Sequence, residues 1–120
     1  MLNSSMYNHK ELSKIPSTRG IYAAWLGNEC IYVGKSSKLN HRLKSHYSGQ
    51  RGSDQFCLYI FDSYIKVIPN EVGANLSKHL NLKTQKWIRE NLSFSYFECE
   101  NDTVQETFYR KSMHPTLNTL

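Results

Sequence analysis

A chain of 120 residues can bury one core but not two, so one domain spanning 1–120 is expected. Its formal charge of +5 lies wholly in the first half, where eight Lys and Arg face three Asp and Glu, while residues 61–120 carry seven of each sign. Three cysteines without a C-x-x-C spacing point to neither a disulfide framework nor a zinc site. No apolar run approaches a signal peptide or the ~20 residues of a membrane span, so the expectation is a protein of the reducing cytoplasm with no membrane partner.

In chain order, residues 1–18 read as a polar lead-in segment in which Lys10 to Ile15 make a short helix closed by Pro16. Gly20 to Trp25 and Cys30 to Gly34 have strand composition and bracket Leu26-Gly27-Asn28-Glu29, where Gly-Asn supplies hairpin turn chemistry. A two-residue turn would pair Tyr22 with Val33 and put Tyr22 and Tyr32 on opposite faces. A three-residue loop, Leu26 to Asn28, sets the two tyrosines directly across from each other and is the expectation, because both phenols can then share one site. Ser36-Ser37 should N-cap a helix through about Tyr47, with Leu39, Leu43 and Tyr47 as its buried stripe and Lys38, Arg42 and His46 beside it at the same spacing.

Ser48 to Asp54 reads as a loop. Gln55 to Phe61 has the aromatic and β-branched content of a strand, Tyr64 to Ile68 extends or pairs with it, and Pro69-Asn70 breaks the chain. Leu76, Leu80, Trp87, Ile88 and Leu92 have helical spacing, in one or two pieces. Ser93 to Cys99 reads as another strand. Thr103-Val104-Gln105-Glu106 matches a capping box opening a helix that buries Val104 and Phe108 and ends at Pro115. The order β-β-α-β-α-β-α predicts an α+β fold with a small central antiparallel or mixed sheet, the N-terminal hairpin plus a later strand, flanked by helices.

Each chemical motif alone has an ordinary structural explanation. Gly20-Ile21-Tyr22 is strand, Arg42 with His46 is a solvated helix face, and Asn118 caps a turn. Glu106 is the reciprocal carboxylate of the Thr103 capping box, or the i,i+4 partner of Arg110. Between Cys30 and Arg51, however, Lys35, Lys38, Arg42, Lys44 and Arg51 meet no acidic residue. That local field suits a polyanion and makes these five the candidate contacts to one.

Taken together, Gly20-Ile21-Tyr22, Ile31-Tyr32-Val33-Gly34-Lys35, Arg42 with His46 one turn on, Glu106, and Pro115-Thr116-Leu117-Asn118 resemble the catalytic module of the GIY-YIG nucleases. The resemblance is close over 20–47 and looser over 94–118. Val33 stands where the family name has Ile, and His46 takes a position that is His in some members and Tyr in others. Residues 48–92 exceed the shortest members and read as a family-variable insertion to which the resemblance assigns no function.

The resemblance implies a divalent-metal-dependent DNA endonuclease that hydrolyses phosphodiester bonds, in the first instance restriction-type. Structure-specific repair and mobile-element nucleases are the alternatives within the class, and a non-catalytic nucleic-acid-binding module is the alternative outside it. The implied catalytic set is Tyr22, Tyr32, Lys35, Arg42, His46, Glu106 and Asn118. Glu106 would hold one Mg²⁺ or Mn²⁺. Arg42 would grip the scissile phosphate through two parallel hydrogen bonds without losing its charge. Tyr22 would be the base for the attacking water with Tyr32 in support, and Asn118 would orient metal-bound waters or site hydrogen bonds. A phenol with a pKa near ~10 is ionised about one part in a thousand at pH 7, so Lys35 would have to lower that pKa or His46 take the proton. Arg51, Lys66, Lys78, Lys83, Lys86 and Arg89 would suit a restriction-type enzyme that reads DNA from within its nuclease domain. The expected partner is double-stranded DNA. One site cuts one strand, so a double-strand break implies a homodimer or sequential nicks.

Overall fold

The computed structural model describes residues 2, 5–66 and 76–119. Strands β1 (Gly20–Leu26), β2 (Glu29–Ser36) and β3 (Leu92–Glu98) form an antiparallel sheet in the order β2-β1-β3. Helices α1 (Leu39–Tyr47), α2 (Gln55–Ile60), α3 (Leu76–Asn91) and α4 (Asp102–Met113) flank it, which makes the fold α+β as expected. The lead-in is not idle. Its 3₁₀ turn His9–Lys14 closes with an Asn8–Glu11 capping box, and Tyr7 exchanges two 2.8 Å backbone hydrogen bonds with Phe94 on the free edge of β3.

The hairpin register differs from the expected one. Leu26 pairs with Glu29 across a two-residue turn at Gly27 and Asn28, and Gly27 takes φ +60°, a conformation open to glycine. That turn alone would split the tyrosines onto opposite faces. A bulge between Ala24 and Trp25 restores them: Trp25 pairs with Cys30, Ala24 with Tyr32, and Ile31 is the extra residue. Tyr22 therefore faces Gly34 directly and Tyr32 diagonally. The two phenols share a face, with ring centroids 6.1 Å apart, but they are not cross-strand partners.

Alternation along the strands fills two cores. Tyr22, Ala24 and Phe94 face Leu39, Leu43 and Tyr47 of α1, Phe56 and Ile60 of α2 and Ile88 of α3. Ile21, Ala23, Trp25 and Val33 face the other way, against Tyr109 and Met113 of α4. The buried stripe Leu39, Leu43, Tyr47 is as expected. The cap is not. Lys38 is the N-cap and makes no side-chain capping bond; Ser36 instead accepts from the Lys38 N–H. The lead-in satisfies the first turn, with Thr18 and Pro16 carbonyls accepting from the Leu39 and Asn40 N–H groups at 3.0 and 3.1 Å.

Two expected elements are overturned. Gln55 to Phe61 is no strand but α2, continued by a π-helical turn at Phe61–Ile65. Asp54 N-caps it by accepting from the Cys57 N–H, and Phe56 and Ile60 then fall on one buried face. Local composition lost to a cap. On α4 the Thr103–Glu106 capping box does not form, because the helix begins at Asp102 with Asn101 at the N-cap, two residues ahead of Thr103, and Arg19 anchors Asp102 at 3.1 Å. The helix presents Asp102, Tyr109 and Met113 to the sheet and leaves Val104 and Phe108, expected to be buried, 65% and 58% exposed. The segment Leu76–Asn91 is one helix, whereas the expected break at Pro69-Asn70 and part of Tyr64 to Ile68 lie outside the described residues.

Candidate active site

The shared face of β1 and β2 opens into a cleft of about 300 Å³ lined by Tyr22, Tyr32, Lys35, Arg42, His46, Asp54, Gln55, Phe56 and Glu106. Five elements contribute to it: β1, β2, α1, α4 and α2 with its N-cap Asp54. Each contribution follows from local rules. The bulge puts both tyrosines on one face, and i,i+4 spacing puts Arg42 and His46 on one side of α1. The early start of α4 turns Glu106 inward together with Asp102.

Tyr22 is buried, and its ring lies across Gly34. A Cβ on Gly34 would come within 2.4 Å of the phenolic oxygen, so only glycine leaves room for the ring. The Tyr22 hydroxyl lies 2.7 Å from His46 Nε2, and His46 Nδ1 lies 2.8 Å from Asp54 Oδ2. Ser45 Oγ donates to the same carboxylate oxygen, while the Cys57 N–H donates to Oδ1 at 3.2 Å. Phe56 stacks on the imidazole at 4.3 Å and 27°. Tyr22, His46 and Asp54 are 2%, 3% and 5% exposed, so this chain of hydrogen bonds is shielded from bulk water along its whole length.

Burial pushes the Tyr22 phenol well above its ordinary value, Tyr32, Asp54 and Glu106 push the same way, and Arg42 opposes them. Tyr32 is raised by burial and by Glu106. Burial holds His46 below 6.5 despite its bond to Asp54. Burial also works to raise the Asp54 carboxyl, but the bonds it accepts from His46, Ser45 and Cys57 outweigh that and bring it to about 2. At neutral pH the site thus holds an Asp54 carboxylate and a neutral His46.

The expected site residues fall into two groups. Tyr22, Tyr32, Lys35, Arg42, His46 and Glu106 converge on the cleft. Lys35 donates to Thr103 Oγ1 at 2.7 Å, tying β2 to α4, and the cation that opposes the upward shift of Tyr22 is Arg42 rather than the expected Lys35. Glu106 is 17% exposed and sits 3.8 Å from Arg110. Asn118 is not brought to the cleft. Its carboxamide spans Val33, accepting from the N–H at 2.7 Å and donating to the carbonyl at 2.9 Å, and so caps the free edge of β2. Arg51 is also spent elsewhere: it donates to Asn81 and Ser77 and lies over the Phe61 ring. Lys38 and Arg42, with Ser36, His41 and Ser45, line a shallow groove of about 240 Å³ that shares Arg42 with the cleft, and Lys44 is exposed on α1.

Asp54 was absent from the sequence reading. The signal for it was local: an Asp placed just before Phe56 and Ile60, an N-cap followed by an i,i+4 apolar pair, hidden by the strand-like composition of the segment.

Residues 6–120 match the GIY-YIG catalytic domain. The chain belongs to the GIY-YIG family. It is a nuclease domain of that family, and its two glycine-tyrosine motifs are the paired strands that bear Tyr22 and Tyr32. Among proteins of known name, UvrABC system protein C from Fervidobacterium nodosum is 28% identical over 105 residues, covering 82% of this chain and 19% of that protein. The chain therefore matches about a fifth of that relative's length. Two point mutants of the GIY-YIG N-terminal endonuclease domain of UvrC from Thermotoga maritima, each bound to its catalytic divalent cation, match at a TM-score of 0.48, with 16% identity and 91% of each chain covered.

Proposed function

We propose that this GIY-YIG domain is a divalent-metal-dependent DNA endonuclease that hydrolyses one phosphodiester bond per cleft. The observation that carries this reading is the convergence of two phenols, a guanidinium, an imidazole and the Glu106 carboxylate on one cleft of about 300 Å³, with the Asp54 carboxylate behind the imidazole. Those are the groups that hydrolysis of a phosphodiester requires.

The donors fit a hard cation. Glu106 offers a partly buried carboxylate, and among the described residues no group of three or more His, Cys, Asp or Glu forms a dedicated cage. Glu106, water and the oxygens of the substrate would therefore hold Mg²⁺ or Mn²⁺, bound weakly in the absence of DNA. Such an ion, when bound, supplies Lewis-acid polarisation of the phosphoryl oxygen. The remaining tasks fall to the protein. Arg42 binds the phosphoryl oxygens and offsets the charge that grows on them. Tyr22 takes a proton from the attacking water as its own passes to His46, the water oxygen forms the new P–O bond, and the bond to the leaving oxygen breaks. Tyr32 borders the same space and orients the phosphate.

Within this class, the likeness to a UvrABC system protein C favours a structure-specific repair nuclease over a restriction enzyme. The internal bonds of Arg51 and Arg89 point the same way, because they remove two of the six cations that a built-in recognition surface would use. Supercoiled plasmid incubated with and without Mg²⁺ tests the reading. Nicking should require the ion, and Glu106→Ala should lower its rate by about 10²-fold or more. Wild-type rates from Glu106→Ala in Mg²⁺ would remove the metal role, and salt-sensitive binding without cleavage would identify a binding module instead.

A further inference from the structure

Asp54 belongs to none of the motifs that define the site, yet its carboxylate meets His46, Ser45 and the Cys57 N–H. Residues 48–54 are clamped onto α3. Gly49, at φ +74°, lets the backbone approach so closely that an added Cβ would stand 2.5 Å from both the Asn81 carbonyl and the Gln85 nitrogen. Gln85 donates to the Ser48 carbonyl at 3.3 Å, Arg89 to the Tyr47 carbonyl at 3.3 Å, and Arg51 to Asn81 at 2.8 Å. The Asp54 N–H returns to the Gln50 carbonyl at 3.0 Å. A carboxylate held this firmly, with Oδ1 on the Cys57 N–H and Oδ2 on Ser45 and His46, has one orientation.

From this geometry we propose that Asp54 is a positioning residue that fixes the tautomer of His46, and that one task of residues 48–54 and α3 is to hold it there. The inference rests on the reading of Tyr22 as the base. An ionised carboxylate only accepts, so His46 must carry its proton on Nδ1. Nε2 is then a lone pair facing the Tyr22 hydroxyl at 2.7 Å, and the phenol donates to it. As the attacking water gives its proton to Tyr22, the phenolic proton moves to Nε2. The imidazolium that results lies against the Asp54 carboxylate, which stays ionised. When the leaving oxygen departs into the cleft, it takes a proton from Tyr22, Tyr22 recovers its own from His46, and the site is reset. With the other tautomer Nε2–H would point at the phenol, and the proton would have nowhere to go. The logic is that of an Asp-His pair behind a hydroxyl, here with a phenol in place of an alcohol.

Asp54→Asn tests this cleanly, because Asn N-caps a helix as well as Asp does. The cap requires the remaining carbonyl oxygen to stay on the Cys57 N–H, which turns the new amide NH₂ toward Ser45 and His46 Nδ1. It then donates to Nδ1 and forces the proton onto Nε2. In wild type, long-range ¹H–¹⁵N correlation on ¹⁵N-histidine-labelled protein should show His46 protonated at Nδ1, and Asp54→Asn should move the proton to Nε2. Plasmid nicking by the variant should lose about 10²- to 10⁴-fold in kcat with KM unchanged.

An Nε2–H tautomer in wild type overturns the proposal, and that result needs no variant to fold. An active wild type beside an Asp54→Asn variant of undiminished kcat overturns the role of Asp54 alone. A wild type that cuts nothing in any divalent metal overturns the nuclease reading and, with it, the catalytic use of the relay.

Discussion

Tyr22 has no solvent to carry its charge, and its phenol is pushed up rather than down by burial and by Tyr32. It can act only if its proton leaves in the same motion in which it takes another, which is why His46 matters more than any nearby cation. That dependence has a pH signature. The charged groups that bear on His46 are Asp54, which raises its pKa, and Arg42, which lowers it, but burial dominates and holds it below 6.5. The acceptor is therefore present at neutral pH and is lost only as pH falls through a midpoint below 6.5. Single-turnover nicking rates from about pH 5 to 8 should be flat at the upper end with an acid limb centred below that of free histidine. A limb centred above 6.5 would contradict a buried neutral His46. Stability moves in the same direction. The unfolded chain takes up protons first, at His46 below 6.5 and at Asp54 between about 4 and 2, so acidification removes stability in two steps, the second worth about 2 kcal/mol.

At the scale of elements, the parts that were legible in the sequence are those set by short-range periodicity. The hairpin, the stripe Leu39, Leu43, Tyr47 and the helix from Leu76 follow from it. The failures share a cause: which face an element buries depends on where it starts. Asp54 starts α2 and turns an aromatic run, strand-like in composition, into a helix. Asn101 caps α4 two residues ahead of Thr103, Arg19 holds Asp102 in the first turn, and Val104 and Phe108 face away from the sheet. The bulge at Ile31 likewise reconciles a two-residue turn with two tyrosines on one face, and no residue type announces it. The rotation of α4 can be measured. Val104→Thr with Phe108→Ser should shift urea unfolding by no more than about 0.5 kcal/mol per site, as surface changes do. Burial of Phe108 would instead make its loss worth roughly 3–5 kcal/mol. A large destabilisation would place this face of α4 in a core.

For the whole molecule, the site is a long-range construction, bringing position 22 beside 46 and 54 and opening them to the cleft that also holds Glu106. The sequence pattern singles out these residues apart from Asp54, but only the fold shows that the basic groove along Lys38 shares Arg42 with that one cleft. Among the described residues, a single carboxylate of α4 and a single guanidinium of α1 line it, enough to serve one phosphodiester at a time. A chain of this kind should convert supercoiled plasmid to open circle first. Linear product should follow with a lag, because a second, independent encounter must cut the opposite strand. The nicking rate should be first order in enzyme, and added salt should weaken it if Arg42 and Lys38 meet phosphate as proposed, because such contacts release counterions. If two copies cut together, linear DNA would appear without accumulated open circle, at a rate rising with the square of enzyme concentration. Agarose-gel time courses over a tenfold range of enzyme separate the two, and the second pattern would mean that the active species is a pair of clefts on one duplex.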